Sequence, residues 1–370
     1  MSTQACLCAD TIGFPHGGGH TWAYLNWAQG LKSIGFAVVW LEEVSGDVPL
    51  DRLQVLFAEL RRRLDPYGFA DRIAILQRGV GCMAHALGST PFEEAAQAEV
   101  LINLKYALEA HVVKRFRRSV LVDIDPGMLQ IWMQAGQIEV APHDVYFSIG
   151  ETVGTSEALF PDAGLEWYYT PPPVALDSWP ASPPGVETFR TVSTWWSEWL
   201  VHDGLSYDNS KRAGFLPYFD MPRRTSQKLE LALCLSEEEE DRADLEAHGW
   251  SVRRAEQVAG SPMTYQTYIQ GAKGEFSCAK PSYVHLQTAW VSDRTVCFLA
   301  SGKPAVVRHT GPSRFLPDRE GLLRFEDPSE AGMLLESVAN DYEAHTKAAR
   351  ALAEEWFDAR QVIHRILSRI

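Results

Sequence analysis

Near the middle of the chain, residues 168–185 read YYTPPPVALDSWPASPPG. A run this rich in proline cannot continue a helix or a central strand, because each proline lacks a backbone N–H and fixes its own φ. The segment is therefore extended, and it divides 370 residues into two parts of ordinary domain size. On this reading residues 1–167 form one domain, 168–187 a linker, 188–340 a second domain and 341–370 terminal helices, part of which returns to the first domain. Before the linker, short apolar runs alternate with amphipathic segments, the pattern of a parallel sheet covered by helices. Strands are expected near 4–13, 36–43, 72–77, 99–104, 118–124 and 144–149, with helices over 21–34, 50–63 and 128–136. After the linker the alternation resumes: strands near 188–194, 229–235, 250–255, 274–279, 303–308 and 321–325, and helices near 209–220, 237–248, 262–272 and 292–301. From 328 onward the chain reads as helix. The fold class is α/β, with two doubly wound, Rossmann-like halves.

Composition narrows the function. A formal net charge of −14 opposes the phosphate backbone, so a nucleic-acid polymer is not an expected partner. No run of about 18 apolar residues is present, and the first residues show neither a basic nor a long apolar leader, so no membrane span and a cytoplasmic location are expected. The six cysteines are scattered and are expected to be free thiols. EEEED at 237–241 suits a solvated first helical turn, where the helix dipole favours negative charge.

The stretch GFPHGGGHTW, 13–22, follows an apolar run and precedes a helical pattern. Glycines at such a turn let a backbone approach a ligand without Cβ atoms in the way. Metal binding by His16 and His20 would need a helix that three intervening glycines disfavour. The G-x-G-x-x-G dinucleotide fingerprint is not met in strict form, although Glu42 or Glu43 stands near the position of a ribose-binding acid.

The most informative stretch is 274–331, GEFSCAKPSYVHLQTAWVSDRTVCFLASGKPAVVRHTGPSRFLPDREGLLRFEDPSEA. A strand over Gly274–Ala279 and a helix over Ser292–Ser301 lead to the turn Gly302-Lys303-Pro304. A strand over Ala305–Arg308, another over Gly321–Phe325 and an acidic helix start at Asp327–Ala331 follow. This order resembles the nucleotide-sugar-binding domain of GT-B-type glycosyltransferases, which implies two Rossmann-like domains facing across a cleft. Many retaining members carry a Glu about seven residues before the Pro of that turn; here the position is Cys297.

The resemblance implies a metal-independent transferase that uses a nucleotide sugar as co-substrate, holds no resident cofactor and acts on a hydroxyl or amine of a small-molecule acceptor. Ser292 can cap a helix whose first N–H groups face the donor diphosphate, with Asp293 and Arg294 beside it; Arg294 can equally serve a salt bridge. Lys211 and Arg212 resemble the basic pair that neutralises the leaving diphosphate, or are solvated helix-start charges. Glu275 and Lys280 are donor-side candidates or an ion pair. His309 is a further donor-side candidate, and Gly18 and Gly19 give the donor close access. His20, or less favourably His16, is the implied general base of an inverting reaction. Asp125, at the end of VLVDIDPG beside Asp123, either orients that imidazole or caps the helix begun at Pro126. Ser148–Glu151 can line the acceptor side. Trp195, Trp196 and Trp199 are a stacking platform or packing. A nucleotide-sugar epimerase and a non-catalytic binding subunit are the competing readings.

Overall fold

The computed structural model describes residues 3–197, 199–235, 240–318 and 320–370. The first half builds one sheet from β1 (Gln4–Ala9), β2 (Ala37–Val44), β3 (Ile73–Gln77), β4 (Gly81–Cys82), β5 (Val100–Asn103), β6 (Ser119–Asp123), β7 (Val145–Ser148) and β8 (Trp167–Tyr169). Its spatial order is β4-β3-β2-β1-β5-β6-β7-β8, parallel throughout except for the short antiparallel edge pairing of β3 with β4. Parallel strands covered on both faces read as near-continuous apolar runs, and β1 is the clearest case. Ala5, Leu7 and Ala9 enter one core cluster, while Cys6 and Cys8 enter another with Val39, Leu41 and Leu101. All six cysteines are free thiols.

The second half contributes β9 (Thr188–Thr194), the hairpin β10 (Leu200–His202) and β11 (Leu205–Tyr207), then β12 (Lys228–Cys234), β13 (Ser251–Arg254), β14 (Gly274–Ser277), β15 (Ala305–Arg308) and β16 (Leu322–Phe325). Six of these form a parallel sheet ordered β13-β12-β9-β14-β15-β16. In each sheet the first strand lies between neighbours reached in opposite directions, β1 between β2 and β5, and β9 between β12 and β14. Crevices at the carboxyl ends of such strands are where open α/β sheets bind ligands.

The helices that matter for the site are α1 (Gly18–Ser33), α2 (Leu50–Leu64), α3 (Met128–Gln134), α4 (Lys211–Phe215), α5 (Glu240–Ala247), α6 (Ala255–Ala259), α7 (Pro262–Gln270), α8 (Pro281–His285), α9 (Asp293–Ala300), α10 (Pro328–Asn340), α11 (Tyr342–Leu352) and α12 (Ala359–Leu367). Helix α2 shows why the apolar period reads as helix: Leu53, Leu56, Phe57, Leu60 and Leu64 face the core, with Asp51 in its first turn and Arg61 and Arg62 in its last. Of the acidic run, residues 237–239 lie outside the described residues; α5 starts at Glu240.

Three features differ from the sequence reading. Residues 168 and 169 belong to β8, paired with β7, so the first sheet runs past the expected boundary at 167. The proline-rich segment is extended but packed: Val174 donates to the Phe357 carbonyl (2.7 Å) and accepts from Ala359 (3.0 Å). Trp179 is fully buried between Trp22 and Tyr265, at ring distances of 4.7 and 6.2 Å. The hairpin β10–β11 was not expected; Asp203 and Gly204, at φ 50° and 73°, supply the left-handed pair that a two-residue turn requires. Helix α12 lies against α1, where a Cβ on Gly30 would fall 2.8 Å from Ala359.

Candidate functional site

The loop after β1 is clamped from two sides. Glu42 is buried and its carboxylate accepts from the Thr11 N–H (3.0 Å) and from Trp40 Nε1 (2.8 Å); it holds this turn and is not placed as a ribose ligand. Burial pushes its pKa up, against those hydrogen bonds. Buried Arg63 reaches from α2 and donates to the carbonyls of Thr11 and Phe14 (both 3.1 Å) and to Thr21 Oγ1 (3.0 Å). Gly17 is the N-cap of α1, and Gly18 and Gly19 form its first turn, so His20 is helical while His16 lies before the cap and the two histidines share no helix. Packing against the second domain decides that Gly18 and Gly19 are helical. A Cβ on Gly18 would lie 2.3 Å from the carbonyl oxygens of Ala259 and Ser261, and one on Gly19 2.5 Å from the Tyr265 ring. The glycines bring α1 against α6 and α7, and that contact offsets their cost in a helix.

His20 projects from this first turn between the rings of Phe14 and Tyr24, at 4.6 and 5.3 Å. Its Nε2 donates to the Asp10 carbonyl at 2.6 Å, which leaves Nδ1 as the nitrogen with a lone pair in the neutral ring. The implied His20–Asp125 pair is not formed. Asp125 instead accepts from Tyr106 Oη (3.0 Å) and Tyr283 Oη (3.3 Å), because the strand end carries it toward those tyrosines. It is not the cap of α3 either: Gly127, at φ 83°, holds that position, and its N–H is taken by Gln130 Oε1 (2.7 Å). Buried Asp123 is tied up structurally, accepting from Ser148 Oγ (2.7 Å), Gln130 Nε2 (2.9 Å) and the Asp125 N–H (2.9 Å). Burial raises its carboxyl to about 6. His16 is exposed, 3.8 Å from Glu256. Glu151 accepts from Arg314 N (2.6 Å) and Ser313 Oγ (2.5 Å) and so links the domains; of the 148–151 segment, Ile149 lines the cleft.

On the other wall the candidates separate into two groups. Ser292 caps α9, accepting from the Arg294 N–H at 3.2 Å. Arg294 is buried and donates to Glu275 (2.7 Å), to the Val192 carbonyl (2.8 Å) and to Ser277 Oγ (2.6 Å). Glu275 is fully buried in this pair and is not placed as a sugar contact. Lys211 is buried, with Nζ 2.7 Å from the Cys278 carbonyl and 5.6 Å from the Trp290 ring centre. Burial, with Arg294 and Lys280 nearby, lowers its ammonium to about 7. Arg212 turns away: it is bound to Asp241 (2.6 Å) and lies over Trp196. His309 accepts from the Gly311 N–H (3.3 Å) and lines neither cavity described below. Trp195 is buried and donates to Asp241, while Trp196 and Trp199 are exposed. Cys297 is buried, 3.6 Å from Asn26 Nδ2, at the contact between α9 and α1.

Two cavities open between the walls. One, of about 260 Å³, is bounded by Gly17–Gly19 and His16 on one side and by Lys211, Lys280, Ser292 and Arg294 on the other. The second, of about 500 Å³, lies over the ends of β1, β5 and β6 and is lined by Asp10, Lys105 and Asp125 among apolar and aromatic groups. They share His20, Tyr283, Trp290 and Asp293. Burial raises the Asp293 carboxyl against the pull of Arg294 and His20. Tyr283 and Trp290 stack at 4.3 Å, and neither was singled out from sequence. Their loop carries a detectable mark only in three dimensions: Gln287 and Ala289 hold φ of 51° and 52°, a conformation that costs a non-glycine residue about 1–2 kcal/mol. It is held by Thr310 Oγ1 donating to the Trp290 carbonyl (2.7 Å) and by Thr152 Oγ1 donating to Gln287 (3.1 Å). Among the described residues no group of three or more His, Cys, Asp or Glu is placed to hold a metal ion, and no helix is long and apolar enough to cross a membrane.

No protein-family model and no curated protein matches the sequence. Solved structures do match in fold. An alpha-glucosyltransferase in complex with UDP and a 13-mer DNA superposes with a TM-score of 0.59 at 12% identity, over 100% of this chain and 99% of that one. Anabaena Alr3699/HepE in complex with UDP and glucose gives 0.56 at 13% identity, over 99% and 100%. A glycosyltransferase from Rickettsia africae gives 0.53 at 10% identity, over 99% and 97%. Taken with the two parallel sheets and the cleft between them, this shows that the chain has the GT-B fold, in which two Rossmann-like domains face one another.

Proposed function

We propose that the protein is a glycosyltransferase that moves a sugar from a nucleoside-diphosphate donor to a hydroxyl or amine of a small-molecule acceptor, without a metal or resident cofactor. The carrying observation is that the two cavities meet at four residues, His20, Tyr283, Trp290 and Asp293. The smaller cavity has the basic wall and takes the donor: Lys211, Lys280 and the start of α9 face its diphosphate. The larger takes the acceptor, and its mainly apolar and aromatic lining together with the net charge of −14 argues for a small molecule over a nucleic-acid polymer. UDP is the first nucleotide to test, because the alpha-glucosyltransferase and Alr3699/HepE structures contain it.

In the inverting form of this reading, His20 Nδ1 takes the proton of the acceptor hydroxyl as that oxygen attacks the anomeric carbon. The bond to the diphosphate oxygen breaks, and Lys211 and the α9 terminus stabilise the departing charge. General-base catalysis of this kind contributes roughly 10²–10⁴ in rate. A retaining form has one observation in its favour: His20 Nε2 is held by a backbone carbonyl, and among the described residues no carboxylate is hydrogen-bonded to its ring. There the leaving diphosphate itself accepts the acceptor proton on the same face. Incubation with a panel of nucleotide sugars and acceptors, with NMR of the product's anomeric proton, tests both. Inversion that falls at least about tenfold in His20→Ala, with UDP affinity unchanged, supports the base. Retention with normal turnover in that variant removes it, and epimer formation or binding without turnover overturns the transferase itself.

A further inference from the structure

The larger cavity carries charge that the chain does not balance. Lys105 is committed to Asp10, Nζ to Oδ1 at 2.6 Å. Asp125, on the floor, is held by the hydroxyls of Tyr106 and Tyr283, and Asp293, at the junction, accepts from Ser292 Oγ at 3.4 Å and feels the charges of Arg294 and His20 without pairing with them. Among the described residues no Lys, Arg or His side chain forms an ion pair with either carboxylate. The neighbouring Arg294 is engaged with Glu275. Around them the walls are apolar and aromatic, with Trp27, Leu104, Tyr106, Ile124, Ile138 and Trp290.

A carboxylate facing a cleft with mainly apolar walls is stabilised by a cation brought to it, and ring faces add to the attraction for an ammonium. A neutral ligand leaves the charge uncompensated, and an anion adds repulsion. Lys105 does not reverse this balance, because its charge is matched by Asp10. We propose that the acceptor is a small compound with an apolar or aromatic body, a hydroxyl directed to the His20 end and a protonated amine that pairs with Asp125. This rests on the assignment of the larger cavity to the acceptor, and its recognition step is independent of the transfer chemistry.

Three probes of one shape separate the charge from the fit: tyramine, tyrosol and 4-hydroxyphenylacetate, titrated by calorimetry into the protein at pH 7. Tyramine is expected to bind at least tenfold more tightly than tyrosol, and 4-hydroxyphenylacetate most weakly. In Asp125→Asn the tyramine advantage should vanish while tyrosol binding stays within about twofold, since the amide keeps the shape and drops the charge. A UDP titration of the same variant shows that it folds and reads the donor side separately, so loss of UDP binding in the wild type counts against the transferase reading and not against amine recognition. Equal affinities for the three probes, a preference for tyrosol or the carboxylate, no binding of any, or a tyramine advantage that survives Asp125→Asn overturns the proposal.

Discussion

Two acids beside the cleft are treated in opposite ways. In the second domain Glu275 is fully buried and locked to Arg294, while Lys211 is fixed on a carbonyl. On the first-domain wall Asp125 is half-buried, held by hydroxyls alone, and open to a cavity. A buried ion pair is a rigid frame, even with Glu275 Oε2 left without a hydrogen-bond partner, whereas an acid left with neutral partners retains the capacity to meet a ligand's charge. The contrast teaches that a strand end in the right crevice does not by itself identify a ligand contact. Partners decide it.

The frame breaks most readily at Glu275. Glu275→Gln leaves Arg294 buried and unpaired, and about 3–5 kcal/mol of stability should be lost, measured as a shift of the urea midpoint; Asp125→Asn should shift it by less than about 1 kcal/mol. A small shift for Glu275→Gln would erase the distinction between the walls.

Next in size is nucleotide binding. Lys211→Ala should weaken UDP about 10- to 100-fold, the range of a charge-assisted contact, and Arg212→Ala less than about twofold, because its charge is spent on Asp241. Calorimetric titration checks both, and equal effects would return Arg212 to the donor site.

The contact between the walls is probed at Gly18. Gly18→Ala places a Cβ against two carbonyl oxygens and should cost about 1–3 kcal/mol. The domains should separate, seen as a larger radius of gyration in solution scattering. An unchanged radius with full stability would mean that α1 does not set their approach.

The smallest effect is in pH. With Lys211 lowered to about 7 in the folded chain, the anionic diphosphate selects its charged form, so affinity should fall as pH rises above about 7 and binding near pH 8 should take up a proton. For stability the sign is opposite. The unfolded lysine keeps its proton to about pH 10, so the unfolded state binds more protons between about 7 and 10 and this group makes folding more favourable as pH rises through that window. Lys211→Met should flatten both slopes, measured by titration in buffers of different ionisation heat and by denaturation against pH.

Much of the architecture was legible because local rules agree with the global fold. The near-continuous apolar run of β1 and the amphipathic α2 place themselves by period, and the turn Gly302-Lys303-Pro304 by the resemblance of its stretch. The hairpin at Asp203-Gly204 lies between the strand expected near 188–194 and the helix expected near 209–220, and its Asp-Gly pair is the sequence signal for such a turn. The strands expected near 4–13, 99–104 and 118–124 end at Ala9, Asn103 and Asp123, so the neighbourhood of Asp125 was legible, while the first strand stops four residues short of its expected end. The glycine loop was legible as a place of close approach. That the approach is to Ala259, Ser261 and Tyr265, some 240 residues away in the chain, was not.

The sequence by itself determined two parallel sheets, their crevices and the residue types brought to them, since these depend on spacing along the chain. Only the tertiary structure decided that Glu275 holds Arg294, that Arg212 faces Asp241, that His20 leans on a carbonyl and that Tyr283 and Trp290 stand where two cavities join. Each of those outcomes is a choice among partners within a few ångströms. Hydrogen bonds and ion pairs form at that range, and no periodicity in one strand or helix encodes which neighbour another element will present.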